Sequence, residues 1–329
     1  MAPRRSLWIR TLGLVLAAAC LAGPAQAGEV DRYLPDDTEV VVTLNVRQVL
    51  DSNLVKKFGL DQLREAIKAN DEVNAVLKDL GFDPLKDVER VIVASPGGTD
   101  QDKGLVIVHG KYDLAKFKAK GEESAKDYGD IVKIHKVKSG RDEFIIYEVI
   151  LPDQGQSLFV ALPTDSTLLL SGGKDYVVDA LKKTGRKGKP TLKNKDFQAV
   201  LERLNAKQSL SLVALGSALR KGGLAETPAK DVLERIDALG GGITISDDVK
   251  MEVVIGAKNA DDAKLIHRKL TDGINQAVGV LALLAGAQPE LTPVVEVLKT
   301  LTTTTKDKTI TIKGQISADV IQKALDKDK

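Results

Sequence analysis

One order of short β-branched runs and amphipathic segments occurs twice along this chain of 329 residues, and two passes of it leave few ways to bury both. In the first pass, residues 39–46 (EVVVTLNV) read as a strand. From Arg47 to Leu80 the apolar residues Leu50, Leu54, Phe58, Leu63, Ile67, Val76, Leu77 and Leu80 fall at helical spacing, which predicts two helices broken near Gly59. Gly81 suits the left-handed end of the second helix, Phe82 can fold back on its last turn, and Pro84 blocks continuation. Strands at 88–95 and 105–110 then form a hairpin around Pro96-Gly97-Gly98. A helix over 113–125 capped by Asp113 follows, then strands at 131–137, 144–150, 158–162 and 167–171, and a helix over about 175–183. The second pass has a strand at 210–215, a mostly helical stretch over 216–237, and strands 242–246 and 250–256 paired across Asp247-Asp248. A helix starts near Ala260, a strand covers 309–313, and a last helix covers 317–325.

Laid side by side, HGKYDLAKFKA from His109 matches IGAKNADDAKL from Ile255. STLLLSGGKDYVVDAL from Ser166 matches KTITIKGQISADVIQKAL from Lys308 with a gap. The expected fold class is therefore α+β, a tandem duplication of a β-α-β-β-α-β-α unit resembling the ferredoxin-like plan, with antiparallel sheets and helices on one face. The expected division is a leader over 1–27, a first repeat over 28–184, a basic linker and connecting helix over 185–205, and a second repeat over 206–329 carrying a helical hairpin.

The leader reads as an export signal. Arg4, Arg5 and Arg10 precede a short apolar run from Leu12 to Ala22, and Ala25-Gln26-Ala27 supplies small residues at the positions a signal peptidase reads, predicting cleavage between Ala27 and Gly28. The run is too short for a permanent span, which needs roughly 20 residues. Two variants stay open. Arg4-Arg5 is compatible with a twin-arginine signal, and Ala18-Ala19-Cys20 with a lipoprotein box that would anchor the chain at Cys20.

Removing residues 1–27, which hold three bases and no acid, leaves 45 basic against 46 acidic residues, so generic nucleic-acid binding loses its support. The lone cysteine and the lone tryptophan, Cys20 and Trp8, leave with the leader. Disulfides, thiolate metal sites and cysteine nucleophiles are then excluded, and burial and hydrogen bonds must hold the fold. With eleven Tyr and Phe residues left, a lectin or glycosidase reading weakens too, because sugar sites lean on aromatic platforms.

No motif supplies a chemistry. Lys182, Lys183, Arg186, Lys187, Lys189, Lys193 and Lys195 form the densest basic stretch, with Arg186, Lys187 and Lys189 the candidate polyanion contact; a solvated loop is the simpler reading. Ser171-Gly172-Gly173-Lys174 lacks the first glycine of a P-loop, and Asp175 stands where Ser or Thr should bind magnesium. Gly240-Gly241-Gly242 precedes a strand, unlike a dinucleotide fingerprint, and reads as a bulge or close sheet packing. His109, His135 and His267 have no paired ligand spacing, and Asp100 and Asp102 lack the rest of a calcium loop. Ser217 in LGSAL lacks the second glycine of a nucleophile elbow and reads as a helix cap. Neither cofactor, metal nor catalytic residue is expected.

The most suggestive segment is AVGVLALLAGA, residues 277–287, followed by PELTPVVEVLKTL, which together read as a helical hairpin. Its first arm is apolar on nearly every side. Burial is the first expectation; otherwise Val280, Leu281, Leu283 and Leu284 form a candidate partner patch.

Tyr33-Leu34-Pro35-Asp36-Asp37-Thr38 before the first strand, and Gly81-Phe82-Asp83-Pro84 with Asp87-Val88 before the next, resemble exported bacterial proteins of unknown function abundant in planctomycete-type bacteria. That resemblance covers about the first 70 mature residues and implies an envelope or secreted location without an established chemistry. The reading of the whole is an exported, non-catalytic binding or scaffold protein of the cell envelope, contacting an envelope protein or polymer, with no transmembrane span in the mature chain. The alternative is a periplasmic hydrolase whose site assembles from distant loops.

Overall fold

The computed structural model describes residues 30–68, 71–98, 102–139, 142–151, 155–184, 192–194, 197–198, 201, 207–221, 230–288 and 291–325. Strand β1 (Val40–Leu44) leads into five short helices, α1 (Val46–Asp51), α2 (Asn53–Phe58), α3 (Leu60–Lys68), α4 (Asp71–Leu80) and α5 (Pro84–Asp87). The hairpin β2 (Val88–Ser95) and β3 (Leu105–Gly110) precedes α6 (Leu114–Asp127), then β4 (Val132–Ser139), β5 (Asp142–Leu151), β6 (Gln156–Thr164), β7 (Thr167–Ser171) and α7 (Lys174–Leu181). The second half runs β8 (Leu210–Leu215), α8 (Gly216–Lys221), α9 (Lys230–Leu233), β9 (Ile236–Ile245), β10 (Val249–Ala257) and α10 (Ala260–Ala285). It closes with α11 (Thr292–Thr300), β11 (Thr302–Lys306), β12 (Thr309–Ile316) and α12 (Ala318–Leu325).

All twelve strands form one antiparallel sheet in the order β11-β12-β10-β9-β8-β1-β2-β3-β7-β6-β5-β4. The halves join where β1 pairs with β8, Val42 opposite Leu212. Outward from that join the first half reads 1-2-3-7-6-5-4 and the second 8-9-10-12-11. This differs from a ferredoxin-like unit, in which the strands flanking the first helix are parallel and another strand lies between them. Here β1 and β2 are direct antiparallel neighbours, as are β8 and β9. The helices α1–α5 return the chain to the end of the sheet it left, with Val91 opposite Leu44, whereas a crossing helix would deliver it to the far end.

Local chemistry sets the element ends. Gly81 takes φ +65 after α4, and the Phe82 N–H donates to the Leu77 carbonyl at 2.9 Å, closing that helix. Asp83 caps α5 by accepting from the Leu85 N–H at 3.0 Å, with Pro84 in its first turn. Asp113 caps α6 through the Lys116 N–H. The stretch before Gly81 forms four helices where two were expected: besides the expected break at Gly59, α3 and α4 are separate, and Ser52 divides α1 from α2, its hydroxyl capping α2 by accepting from the Val55 N–H.

Residues opposite one another on antiparallel strands share a face, so the registers locate the cores. Thr43, Ile92, Ile107, Leu169, Ala161 and Ile146 lie in one row across the first half. All but Thr43 are buried, packed with Val177, Ala180 and Leu181 of α7 and with Val30, Tyr33, Leu34, Leu192 and Phe197. Val213, Leu215 and Ala238 of β8 and β9 extend this core into the second half, which buries a second set of residues on the opposite face. Leu44, Leu210, Ile243 and Met251 form one row and Ile255 pairs with Ile310. Ala263 and Ile266 of α10 pack over Ile255 and Ile310. The expectation of helices on one face is thus corrected, since α7 and α10 cover opposite faces. Each fully buried Leu or Ile contributes about 1.5–3 kcal/mol.

Two further corrections concern strands. β9 begins at Ile236, where a helical stretch reaching 237 and a strand starting at 242 were expected, so Gly240, Gly241 and Gly242 lie in mid-strand. A Cβ on Gly242 would meet the Gln208 side chain at 2.3 Å, so the triplet marks close packing over the sheet. Thr302–Lys306 adds an unexpected edge strand, β11, paired with β12.

Candidate functional site

Helix α10 has two different ends. Asn259 caps it by accepting from the Asp262 N–H at 2.8 Å, and the Asp262 carboxylate in turn accepts from the Asn259 amide and from Arg235. Ala263 and Ile266 are fully buried. Beyond Ile266 no residue of this helix is buried. The helix outruns the sheet: 26 residues rise about 39 Å, whereas the eight residues of β12 reach about 27 Å. α11 packs alongside it with Val295 buried.

The far arm therefore faces solvent, contrary to the expectation of burial. Leu283 is 82% exposed, Val280 50%, Leu284 44% and Val294 of α11 43%, while Leu281 is half-buried. No charged residue occurs in the sequence between Asp272 and Glu290. The expected first arm is not a separate helix but the continuation of α10, turning at Gly286. Among the described residues no helix is long and apolar enough to cross a membrane.

Two of the three histidines, His109 and His135, have partners that spacing did not reveal, whereas His267 Nε2 is buried with no hydrogen-bond partner among the described residues. His109 Nε2 lies 2.6 Å from the Asp31 carboxylate, Arg90 donates to the same oxygen at 3.3 Å, and the Tyr33 N–H donates to the other at 3.0 Å. Burial raises the Asp31 pKa, but the hydrogen bond and charge of His109, the Tyr33 N–H and Arg90 outweigh it and hold the carboxyl below its usual range. His109 Nδ1 lies 3.4 Å from the Thr167 hydroxyl, yet Thr167 is 3% exposed, so the Asp-His-Thr array clamps the N-terminal segment onto the sheet.

His135 Nε2 lies 2.7 Å from Glu148, which also accepts from Ser157 at 2.8 Å, and Lys174 Nζ is 3.0 Å from His135 Nδ1. The hydrogen bonds from His135 and Ser157 lower the Glu148 pKa. Both arrays tie distant segments together, Lys174 heading α7 and Asp31 opening the described chain. Among the described residues no group of three or more His, Cys, Asp or Glu is placed to hold a metal ion.

Three cavities stand out. One of about 590 Å³ is lined by α1–α5, among them Leu50, Leu60, Ile67, Leu77, Phe82 and Leu85. A second, about 420 Å³, gathers Asp36, Asp37, Asp175 and Asp179 with Lys182, Lys183 and Lys193. Four of these charges pair within it, Lys183 with Asp36 at 2.6 Å and Lys182 with Asp179 at 2.7 Å, and the Tyr176 hydroxyl donates to Asp37. A third, about 640 Å³, lies between α6 and β5, floored by Phe117, Phe144 and Tyr147.

The remaining sequence candidates resolve locally. The Ser171 hydroxyl donates to the Gly104 carbonyl and accepts from the Gly173 N–H, making Ser171–Lys174 a tight connection. The Ser217 hydroxyl donates to Glu39 at 3.0 Å, beside Lys221, rather than capping a helix. Ala25, Ala27, Gly28, Arg186, Lys187 and Lys189, together with Cys20 and Asp100, lie outside the described residues.

No family model and no curated protein matches the chain. Among solved structures it is similar to crystal form III of TP0453, at 14% identity and a TM-score of 0.49, over 90% of this chain and 98% of that one. Crystal form I of TP0453 is similar at 12% identity and a TM-score of 0.46, over 91% and 98% of the two chains.

Proposed function

We propose that the protein is an exported, non-catalytic binding or scaffold module of the cell envelope, whose helical hairpin contacts a macromolecular partner, an envelope protein or polymer. The observation that carries the reading is the uncharged arm of α10, with Val280, Leu283 and Leu284 in solvent beside Val294. Monomeric proteins rarely leave such residues contiguous and open without a contact to make. The hydrolase alternative has less behind it, because Thr167 is buried and Ser217 is held by Glu39.

The matching strand orders, 1-2-3-7-6 and 8-9-10-12-11, support a tandem duplication in which β4 and β5 are the first half's addition. Export rests on the leader, with processing after Ala27 and lipidation of Cys20 as the alternative. The resemblance to exported planctomycete-type proteins supports an envelope setting. Its two motifs have structural work here: Tyr33 and Leu34 are core residues, and Gly81 to Pro84 ends α4 and starts α5.

A photo-crosslinking residue placed at Val280 tests the contact in intact cells. One discrete adduct, absent when the crosslinker replaces exposed Glu122 and abolished by Leu283→Glu in a protein with an unchanged melting curve, is the expected outcome. An adduct indifferent to Leu283→Glu would sink the reading. Mass spectrometry of the mature N-terminus separates a start at Gly28 from a diacylated Cys20.

A further inference from the structure

The trough between α1–α5 is independent of the hairpin and differs from it in chemistry. Its floor consists of Leu50, Leu60, Ile67, Leu77 and Leu85, of which only Leu50 is buried. Leu60 and Ile67 stand seven apart on α3, and Leu77 faces the same trough from α4, so two amphipathic helices turn apolar positions toward a space they do not fill.

The charges are sorted around it. Between Val46 and Asp87 the sequence has seven bases and eight acids. Of the described lining residues five are basic, Arg47, Lys56, Arg64, Lys78 and Lys86, and two acidic, Asp51 and Asp83. Those two acids are taken by Lys56 at 3.8 Å and Lys86 at 2.6 Å. Arg64 is paired at 3.1 Å with Asp61, which lies outside the lining, whereas Arg47 has the Lys86 and Val88 carbonyls as its hydrogen-bond acceptors and, like Lys78, no ion pair among the described residues. An apolar floor open along one side would leave a small ligand half in water, whereas a helix laid along it covers the floor with its own apolar stripe.

We propose that this trough is the docking site for an amphipathic helix of a partner protein whose apolar stripe is flanked by acidic residues. Leucines at helical spacing settle on Leu60, Ile67 and Leu77, and glutamates on either side meet Arg47, Arg64 and Lys78.

Fluorescence anisotropy on the processed full-length protein tests it with two labelled peptides of about 18 residues, five helical turns, with leucine at every third or fourth position. One carries glutamate beside the stripe and the other lysine. The glutamate peptide should saturate and bind about tenfold tighter or better, equivalent to about 1.4 kcal/mol. Arg64→Glu with Lys78→Glu, both exposed positions, should reverse that preference. Leu60→Ser should weaken both peptides, with circular dichroism confirming the fold of each variant. Absence of saturable binding by the glutamate peptide, equal affinity for the two, or indifference to the charge reversal would overturn the proposal. Loss of binding in Leu283→Glu alone would also overturn it by moving the peptide to the hairpin, so the two readings fail separately.

Discussion

The two halves of the sheet share a strand order and differ in which face their main covering helix lies on. In the first half the row Ile92, Ile107, Leu169, Ala161 and Ile146 is covered by α7 and by the segment Val30–Leu34. In the second half α10 covers the reverse face, over Ile255 and Ile310. A strand order, being a matter of backbone pairing, can be repeated while packing is reassigned, because each strand offers side chains to both faces. The first half has its cover drawn from distant parts of the chain, whereas the second relies on one long helix that is half anchored and half free. The difference places the free apolar surface at the far end of that helix.

The largest expected effects are in the two cores. Leu169→Ala and Ile266→Ala should each cost about 2–5 kcal/mol, read by denaturant unfolding. If hydrogen exchange shows each substitution loosening only its own half, the halves are separate units; uniform loosening would make the β1–β8 join cooperative. Acid should separate them next. The folded Asp31 pKa is lowered, so its stabilisation is present above the unfolded value, about 3.9, and fades as pH falls through the folded value. Stability measured from pH 6 down to pH 2 should therefore fall less steeply in Asp31→Asn, with the change in exchange confined to the first half; an unaltered slope would remove Asp31 from the account. Asn259→Ala should cost about 1 kcal/mol by uncapping α10. Smallest of all, Leu283→Ser should change stability by less than about 0.5 kcal/mol, and a larger loss would mean that the arm is packed.

Much of this frame was legible in the residues. Val88–Ser95 and Leu105–Gly110 read as strands because β-branched residues alternate across both faces, and Gly81 with Pro84 marks its turn by local sterics alone. β11 escaped because Thr302–Lys306 is polar and acquires its role only by pairing with β12. The start of β9 escaped because three glycines interrupt its apolar pattern, and the space at Gly242 is taken by Gln208, more than thirty residues away in sequence. Spacing could not show the histidine arrays either, since Asp31 and His109 meet only when the N-terminal segment lies against β3. The hairpin patch was legible as an apolar run, but its exposure depends on how far α10 outlasts the strands beneath it. The basic rim of the α1–α5 trough left no sign, since sorting of charge by side appears only once five short helices are arranged.

The burial of Val30, Tyr33 and Leu34 bears on the geometry of tethering. In a chain processed at Gly28 the first core side chain, Val30, is the third residue. A lipid on Cys20 would add a leash of ten residues, reaching about 33–36 Å when fully extended. The body would then hang within a few tens of ångströms of the bilayer by the end of the molecule where Asp31 meets His109. That short radius, more than any property of the patch itself, would decide which partners α10 can reach.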